Sequence, residues 1–420
     1  MATPPSLARR LGLADAVFIG LGSMIGAGVF AAFGPAAAVA GTGLLIGLAI
    51  AAVVAFCNAT ASAQLAAAYP TSGGTYAYGR AELGEWWGFV AGWCFVIGKL
   101  ASCAAMALTF AAYAAPSGWE RPVAIVAVAA LVTVNYFGVT RTAQLTRIIV
   151  VAVLLSLAVV VAAGGAAGPA SGGWSGSDFT EGGAYGILQS AGLLFFAFAG
   201  YARIATMGEE VKDPRRTIPR AIVLALGLAV AVYAIVAVTV LAVLGPEATA
   251  ASTAPLADVA AASGWGWTQP VVRVGAAAAS LGALLALIAG IGRTTLAMAR
   301  EDDLPRFLAA VHPRWRVPHR AELAVGAIVI VTVAFVDLRD AIGFSSFGVL
   351  IYYFIANAAA WRQSAEARLY PRVLQVLGAI GCAVLVVTLP IVAVAAGAVV
   401  VAAGILYRFV RLRVLRARPS

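Results

Sequence analysis

The sequence predicts an all-α protein that crosses a membrane many times, and three observations carry that expectation. First, 62% of its 420 residues are hydrophobic and only 11% are charged, with a mean hydropathy of +0.95. A water-soluble chain of this length cannot hide so much apolar surface, because even large domains leave much of their surface in solvent. Second, apolar runs recur from end to end, most of them long enough to span the ~30 Å hydrocarbon layer. Third, the formal net charge of +10 is segregated along the chain rather than spread over it.

Twelve spans are expected, near residues 13–38, 42–68, 85–113, 121–138, 145–165, 184–208, 219–244, 271–299, 321–336, 341–360, 371–389 and 391–408. The first follows "MATPPSLARR" and precedes "AVAG", a pattern that superficially resembles a cleaved signal peptide. Its apolar region is longer than a signal h-region and contains Asp15, so it reads as a retained span. With the N-terminus inside, Arg121, Arg273 and Arg339 fall outside, and Lys99, Arg203 and Arg293 fall within spans. Every other basic residue falls in a cytoplasmic segment, among them Arg9, Arg10, Lys212 to Arg220, Arg300 to Arg320 and Arg408 to Arg418. That is the positive-inside pattern, placing both chain ends in the cytoplasm of a plasma or inner membrane. The basic surplus orients the protein; nucleic acid is not a partner.

The connections are short, so one integral domain is expected over 1–420. The outer loops Gly164 to Gly183 and Gly245 to Trp267 have room for short helices over the outer mouth. Leu304 to Glu322 is a basic inner loop punctuated by proline, and the C-terminal arginines suit anionic lipid headgroups. Cys57, Cys94, Cys103 and Cys382 sit inside spans with no paired spacing, as small apolar residues do. His312 and His319 share one loop, which leaves no histidine in the membrane for an embedded metal enzyme. No cofactor or metal is expected, and no enzymatic activity.

Span 1 carries "GSMIGAGVF" at its centre, where each glycine costs a helix roughly 1 kcal/mol relative to alanine. Span 6, five spans later, carries "FAFAGYA". An odd number of spans per unit turns the second copy upside down, and breaks at matching places point to an inverted-repeat transporter with a midplane site. A break is tolerable in a bilayer only where its bared backbone lines a cavity. The competing reading is packing, since Gly22 and Gly26, like Gly88 and Gly92, have small-xxx-small spacing.

Four stretches follow in order: "GLGSMIGAGVF", "YPTSGGTYAYGRAELGEWWGFVAGW", "FFAFAGYARIATMGEEVKDPRRTIPRAI" and "MAREDDLPRFLAAVHP". Together they resemble the amino acid–polyamine–organocation (APC) superfamily, and "SFGVLIYYFIAN" in span 10 is similar to its pattern as well. The resemblance implies a five-plus-five inverted repeat, over 13–165 and 184–360, plus two added helices over 371–408. It also implies alternating access around a central amino acid site. On this chain the site would comprise Ser23, Met24, Ile25, Gly26, Ala27 and Gly28 with Phe196, Phe198, Ala199, Gly200, Tyr201 and Arg203. The N–H groups of Ala27 and Gly28 open the second half of span 1, a positive helix end suited to a carboxylate. Carbonyls around Ser23 to Ile25 and Phe196 to Gly200 suit an ammonium. Gly26 and Gly28 would let the ligand reach the backbone.

The chain departs from the family at Ala202, Val150 and Gln64, where relatives often carry an acid, a sodium-replacing lysine and a glutamate. Lys99 lies deep in span 3, where a charge costs at least ~2.5–3.5 kcal/mol unless it meets a partner or cavity. It is the coupling candidate, binding carbonyls in place of a cation; a structural lysine that never titrates is the competing reading. Arg203 has two readings, a substrate carboxylate or Glu210 seven residues along one helix face. Arg293 reads as a snorkelling arginine, and Glu209 and Glu210, beside Lys212 and Arg215, as inner-gate or helix-end charges, with simple surface pairing the competing reading. Span 8 offers no hydroxyl between Ser280 and Thr294, which disfavours a sodium site. The function expected is secondary amino acid transport, proton-coupled or by exchange. A polyamine or organic-cation exchanger of the same fold is the alternative. A channel would want a continuous polar stripe and a sensor an output domain, and the chain has neither.

Overall fold

The computed structural model describes residues 11–70, 73–138, 143–169, 178–208 and 210–416. Among them every extended regular element is a helix, joined by one isolated parallel bridge between Leu11 and Val211. In chain order these are α1 (Leu13–Met24), α2 (Ala27–Ala31), α3 (Phe33–Ala40), α4 (Leu44–Ala68), α5 (Gly74–Leu83) and α6 (Glu85–Ala114). Next come α7 (Glu120–Tyr136), α8 (Ala143–Ala167), α9 (Gly183–Phe198), α10 (Ala202–Ala205), α11 (Pro214–Ala251) and α12 (Pro255–Ala262). The chain closes with α13 (Thr268–Arg300), α14 (His319–Phe335), α15 (Leu338–Arg362), α16 (Arg372–Thr388) and α17 (Ile391–Arg416).

Nine helical segments among the described residues are long and apolar enough to cross a membrane, with α1–α2, α3–α4 and α9–α10 each counted as one. α7, α14 and α16 have 17 residues each, a rise of about 25 Å. The Gly245–Trp267 stretch carries a short helix, α12, whereas much of Gly164 to Gly183 lies outside the described residues. So do Arg9, Arg10, Glu209 and the last residues of the basic tail. Breaks follow local chemistry. α3 stops at Gly41, whose φ of +54° is available to glycine at little cost, and α11 kinks at Gly245 (φ +74°) before Pro246.

α6 runs through the centre of the bundle, buried for most of its length. Its crossing with α15 is made by small residues: a Cβ at Gly348 would lie 2.8 Å from Cys94 O and 2.9 Å from Gly98 Cα. Beside them the hydroxyls of Ser102 and Ser345 meet at 2.7 Å. Gly88 and Gly92 also pack as their spacing anticipates, against Arg80 and Tyr76 of α5 and against Met298. A polar joint ties α4, α15 and α16, where Asn357 Nδ2 donates to Asn58 Oδ1 at 2.6 Å and Cys382 Sγ donates there at 3.4 Å. Gln64 holds the next turn of the same seam. Its amide donates to Ala360 O and Gln363 Oε1, and its Oε1 accepts from the N–H groups of Leu369 and Tyr370. A glutamate there could accept but not donate, which gives Gln64 a structural reason.

Thermal unfolding in detergent checks this packing. Gly348→Val is expected to cost at least about 1–3 kcal/mol by forcing α6 and α15 apart. Gly227→Ala, on α11 with open space around it, is expected to be neutral or to stabilise by up to about 1 kcal/mol.

Candidate functional site

Two interrupted helices meet inside the bundle. α1 ends at Met24; Ile25 (ψ +59°) and Gly26 (φ −107°, ψ −135°) leave helical geometry, and α2 begins at Ala27. The Gly26 N–H bonds only back to Met24 O, at 2.8 Å. The first N–H groups of α2, from Ala27 on, have no carbonyl earlier in their own helix. The second interruption is milder than the residues imply. α9 passes into a 3-10 turn over Ala199–Tyr201 and then into the short α10, with helical backbone angles at Phe198, Ala199, Tyr201 and Ala202. One glycine among bulky aromatics tightens the helix rather than unwinding it.

The two interruptions touch backbone to backbone. A Cβ at Gly200 would overlap the Ser23 carbonyl and lie 2.5 Å from Met24 N; one at Gly28 would lie 2.5 Å from Ala197 Cα. A Cβ at Gly26 would lie 2.9 Å from Ala283 Cβ. The space that these glycines leave is filled by protein, so each serves packing as well as backbone freedom, and Gly22 likewise faces Val150.

Carbonyls released at the interruptions are taken by side chains from other helices. Lys99 of α6 is 7% exposed, and its Nζ donates to Ala199 O at 3.3 Å. The Tyr353 hydroxyl of α15 donates to the same oxygen at 3.3 Å. Tyr233 of α11 sets its hydroxyl 2.7 Å from Met24 O and 2.9 Å from Ala197 O, bridging the two helices. Sequence reasoning missed Tyr233. The available signal was a lone aromatic in an otherwise aliphatic span, whose hydroxyl must find a partner when buried.

Of the anticipated site residues, Ser23, Met24, Gly28, Ala199 and Gly200 lie at this crossing, and Ile25, Gly26 and Ala27 form the break itself. Phe196 is nearly buried, Phe198 packs against Tyr233 at 5.1 Å between ring centroids, and Tyr201 stacks on Tyr353 at 5.1 Å. Arg203 turns to its own helix end, donating to Thr206 Oγ1 at 3.2 Å. It does not share a helix face with Glu210, because α10 ends at Ala205 and the chain turns before Glu210. All four cysteines are free and buried. At the foot of α1, Asp15 pairs with Arg147 of α8 at 2.7 Å.

Residues 11–415 match the family described as amino acid permease, and the chain belongs to that family. It is therefore a multi-pass membrane transporter and not an enzyme. It is 59% identical to an uncharacterized transporter of Mycobacterium tuberculosis over 99% of this chain and 94% of that one. A branched-chain amino acid permease of Bacillus subtilis is 26% identical over 84% of this chain and 80% of its own. A chloroplastic cationic amino acid transporter of Arabidopsis thaliana is 27% identical over 84% of this chain and 65% of its own.

Tyr233→Phe removes only the bridging oxygen and leaves Met24 O and Ala197 O without that donor. The expected cost is about 1–3 kcal/mol in thermal unfolding, whereas Thr133→Val, on the exposed side of α7, stays within about 0.5 kcal/mol.

Proposed function

We propose that this permease is a secondary transporter of neutral, zwitterionic amino acids, working by alternating access around the crossing of α1–α2 with α9–α10. The observation that carries this reading is the set of carbonyls at the crossing, on Met24, Ala197 and Ala199, each met by a donor from a third helix. A substrate ammonium would join or replace those donors. The substrate carboxylate would take the first N–H groups of α2, at the positive end of that helix. Residues 23–31 and 195–205 contain no Asp or Glu, so the crossing supplies dipoles rather than fixed negative charge. That favours a zwitterion over a substrate of higher positive charge. Ser23 to Gly28 and Phe196 to Tyr201 are the binding residues in this reading. Arg203, beyond the second interruption, lines the inner route.

The remaining architecture follows from the same reading. α7, α14 and α16 also cross, giving twelve spans. Residues 13–165 and 184–360 form two inverted five-helix units and 371–408 two added helices. The face bearing both chain ends is cytoplasmic, in a plasma or inner membrane, because the basic residues gather there. Lys99 couples transport to protons: its ammonium stands in for a cation at Ala199 O and gives up a proton when the carbonyl is claimed by substrate.

Uptake into proteoliposomes across a panel of amino acids and polyamines, with imposed proton or sodium gradients, tests this. Neutral amino acids are expected to accumulate under an inward proton gradient and to be indifferent to sodium; uptake of polyamines alone, or none, would refute the reading. Lys99→Met is expected to retain substrate binding and lose the pH dependence of uptake. An unaltered pH profile in that variant would remove Lys99 from coupling.

A further inference from the structure

Where the end of α13 meets α5 and α17, an ion network lies apart from the crossing. Asp303 follows α13, and its carboxylate is 3% exposed. It accepts from the Tyr76 hydroxyl at 2.8 Å, pairs with Arg80 at 3.1 Å and pairs with Arg408 of α17 at 3.2 Å. Arg408 is itself 3% exposed. It donates to Glu85 O at 2.7 Å and lies over the rings of Trp86 (4.8 Å) and Phe89 (4.9 Å). Glu85 lies 3.7 Å from both arginines, and Glu301 lies 3.4 Å from Arg80. Around the rim, Asp302 pairs with Arg306 at 2.7 Å and Arg411 at 2.9 Å. Those hydrogen bonds hold the Asp302 carboxyl down to about 2. Burial instead pushes the Asp303 carboxyl up, against the downward pull of Tyr76, Arg408 and Arg80.

We propose that Asp303 is the hub of an ionic latch, in which Arg80 and Arg408 anchor α5 as a strut between the end of α10 and the end of α13. This rests on the alternating-access reading above. Tyr76 and Arg80 are one helical turn apart, so both reach Asp303 from one face of α5. Tyr78, two residues from Tyr76, reaches the other flank and donates to Ala205 O, the last carbonyl of α10, at 3.1 Å. Just beyond, the backbone after α10 lies against that before α5: a Cβ at Gly208 would lie 2.7 Å from the Pro70 carbonyl carbon. One short helix thus holds the inner end of an interrupted helix on one side and an end of α13 on the other. For α10 to swing away from α13, one set of contacts must give. Separating a buried carboxylate from its arginines leaves uncompensated charge, and the Tyr78 end resists through its hydrogen bond and the backbone contact beside it, so weakening either end lets this face open more readily. The arrangement also gives α17 a role: Arg408 reaches back from the last helix to complete the hub.

Spin labels on Lys212→Cys and Arg320→Cys, both exposed positions, report the separation of these two sides when the four buried cysteines are replaced. In lipid nanodiscs without substrate, pulsed electron resonance is expected to resolve a short and a long distance. Asp303→Asn should raise the long-to-short ratio roughly tenfold, and Tyr78→Phe, which removes one oxygen at the opposite end of the strut, roughly fivefold. Asp303→Glu should restore most of the short population. Should Asp303→Asn fail to fold, Tyr78→Phe and Tyr76→Phe give the reading alone. Unchanged distances in the folded variants, or one distance throughout, would overturn the latch. A protein that shows these distance shifts but takes up no amino acid would leave the latch standing and defeat the proposed function.

Discussion

Inside a membrane, a backbone carbonyl or amide with no partner costs several kcal/mol, and this constraint governs the centre of the molecule. An uninterrupted helix meets it by itself. The interruption at Ile25–Gly26 and the 3-10 turn at Ala199–Tyr201 do not, and the surrounding helices are built to compensate. Lys99 and Tyr353 converge on Ala199 O, while Tyr233 spans Met24 O and Ala197 O. These side chains come from α6, α15 and α11, so satisfying a local defect ties five helical segments to one point.

The same constraint explains the density of small residues. A carbonyl can be shared between helices only if the backbones approach closely, and Gly28 and Gly200 allow that where α2 meets α9 and where the 3-10 turn meets α1. Glycine therefore serves both departure from helical geometry and contact between helices. The weakness of glycine as a helix former is the lesser effect, at roughly 1 kcal/mol each, against the cost of leaving a buried carbonyl bare.

Much of the helical layout was legible in the sequence because it rests on length and apolarity alone, as with α6, α8, α13 and α15. The break in span 1 was legible too, since "GSMIGAGVF" concentrates poor helix formers. The second interruption was overread: "FAFAGYA" has one glycine, and the aromatics that flank it keep the chain helical while Gly200 makes the crossing. Gln64, seen only as a departure from a pattern, proves to be a four-bond clamp. The partners of Tyr233 and of Asp303 were illegible for a different reason. These lie 36 to 227 residues away, and no local period or motif encodes such a pairing. The face shared by Arg203 and Glu210 failed for a local reason, because α10 stops after four residues.

The central claim is that backbone groups at this crossing hold an amino acid. A density map of the protein in nanodiscs, recorded with a saturating transported amino acid, tests it most directly. The account predicts ligand density between the two interrupted helices, its carboxylate on the Ala27–Gly28 amides and its ammonium toward the Ala199 carbonyl. A single unbroken helix running from α1 through α2, or a ligand bound elsewhere with this crossing empty, would contradict it.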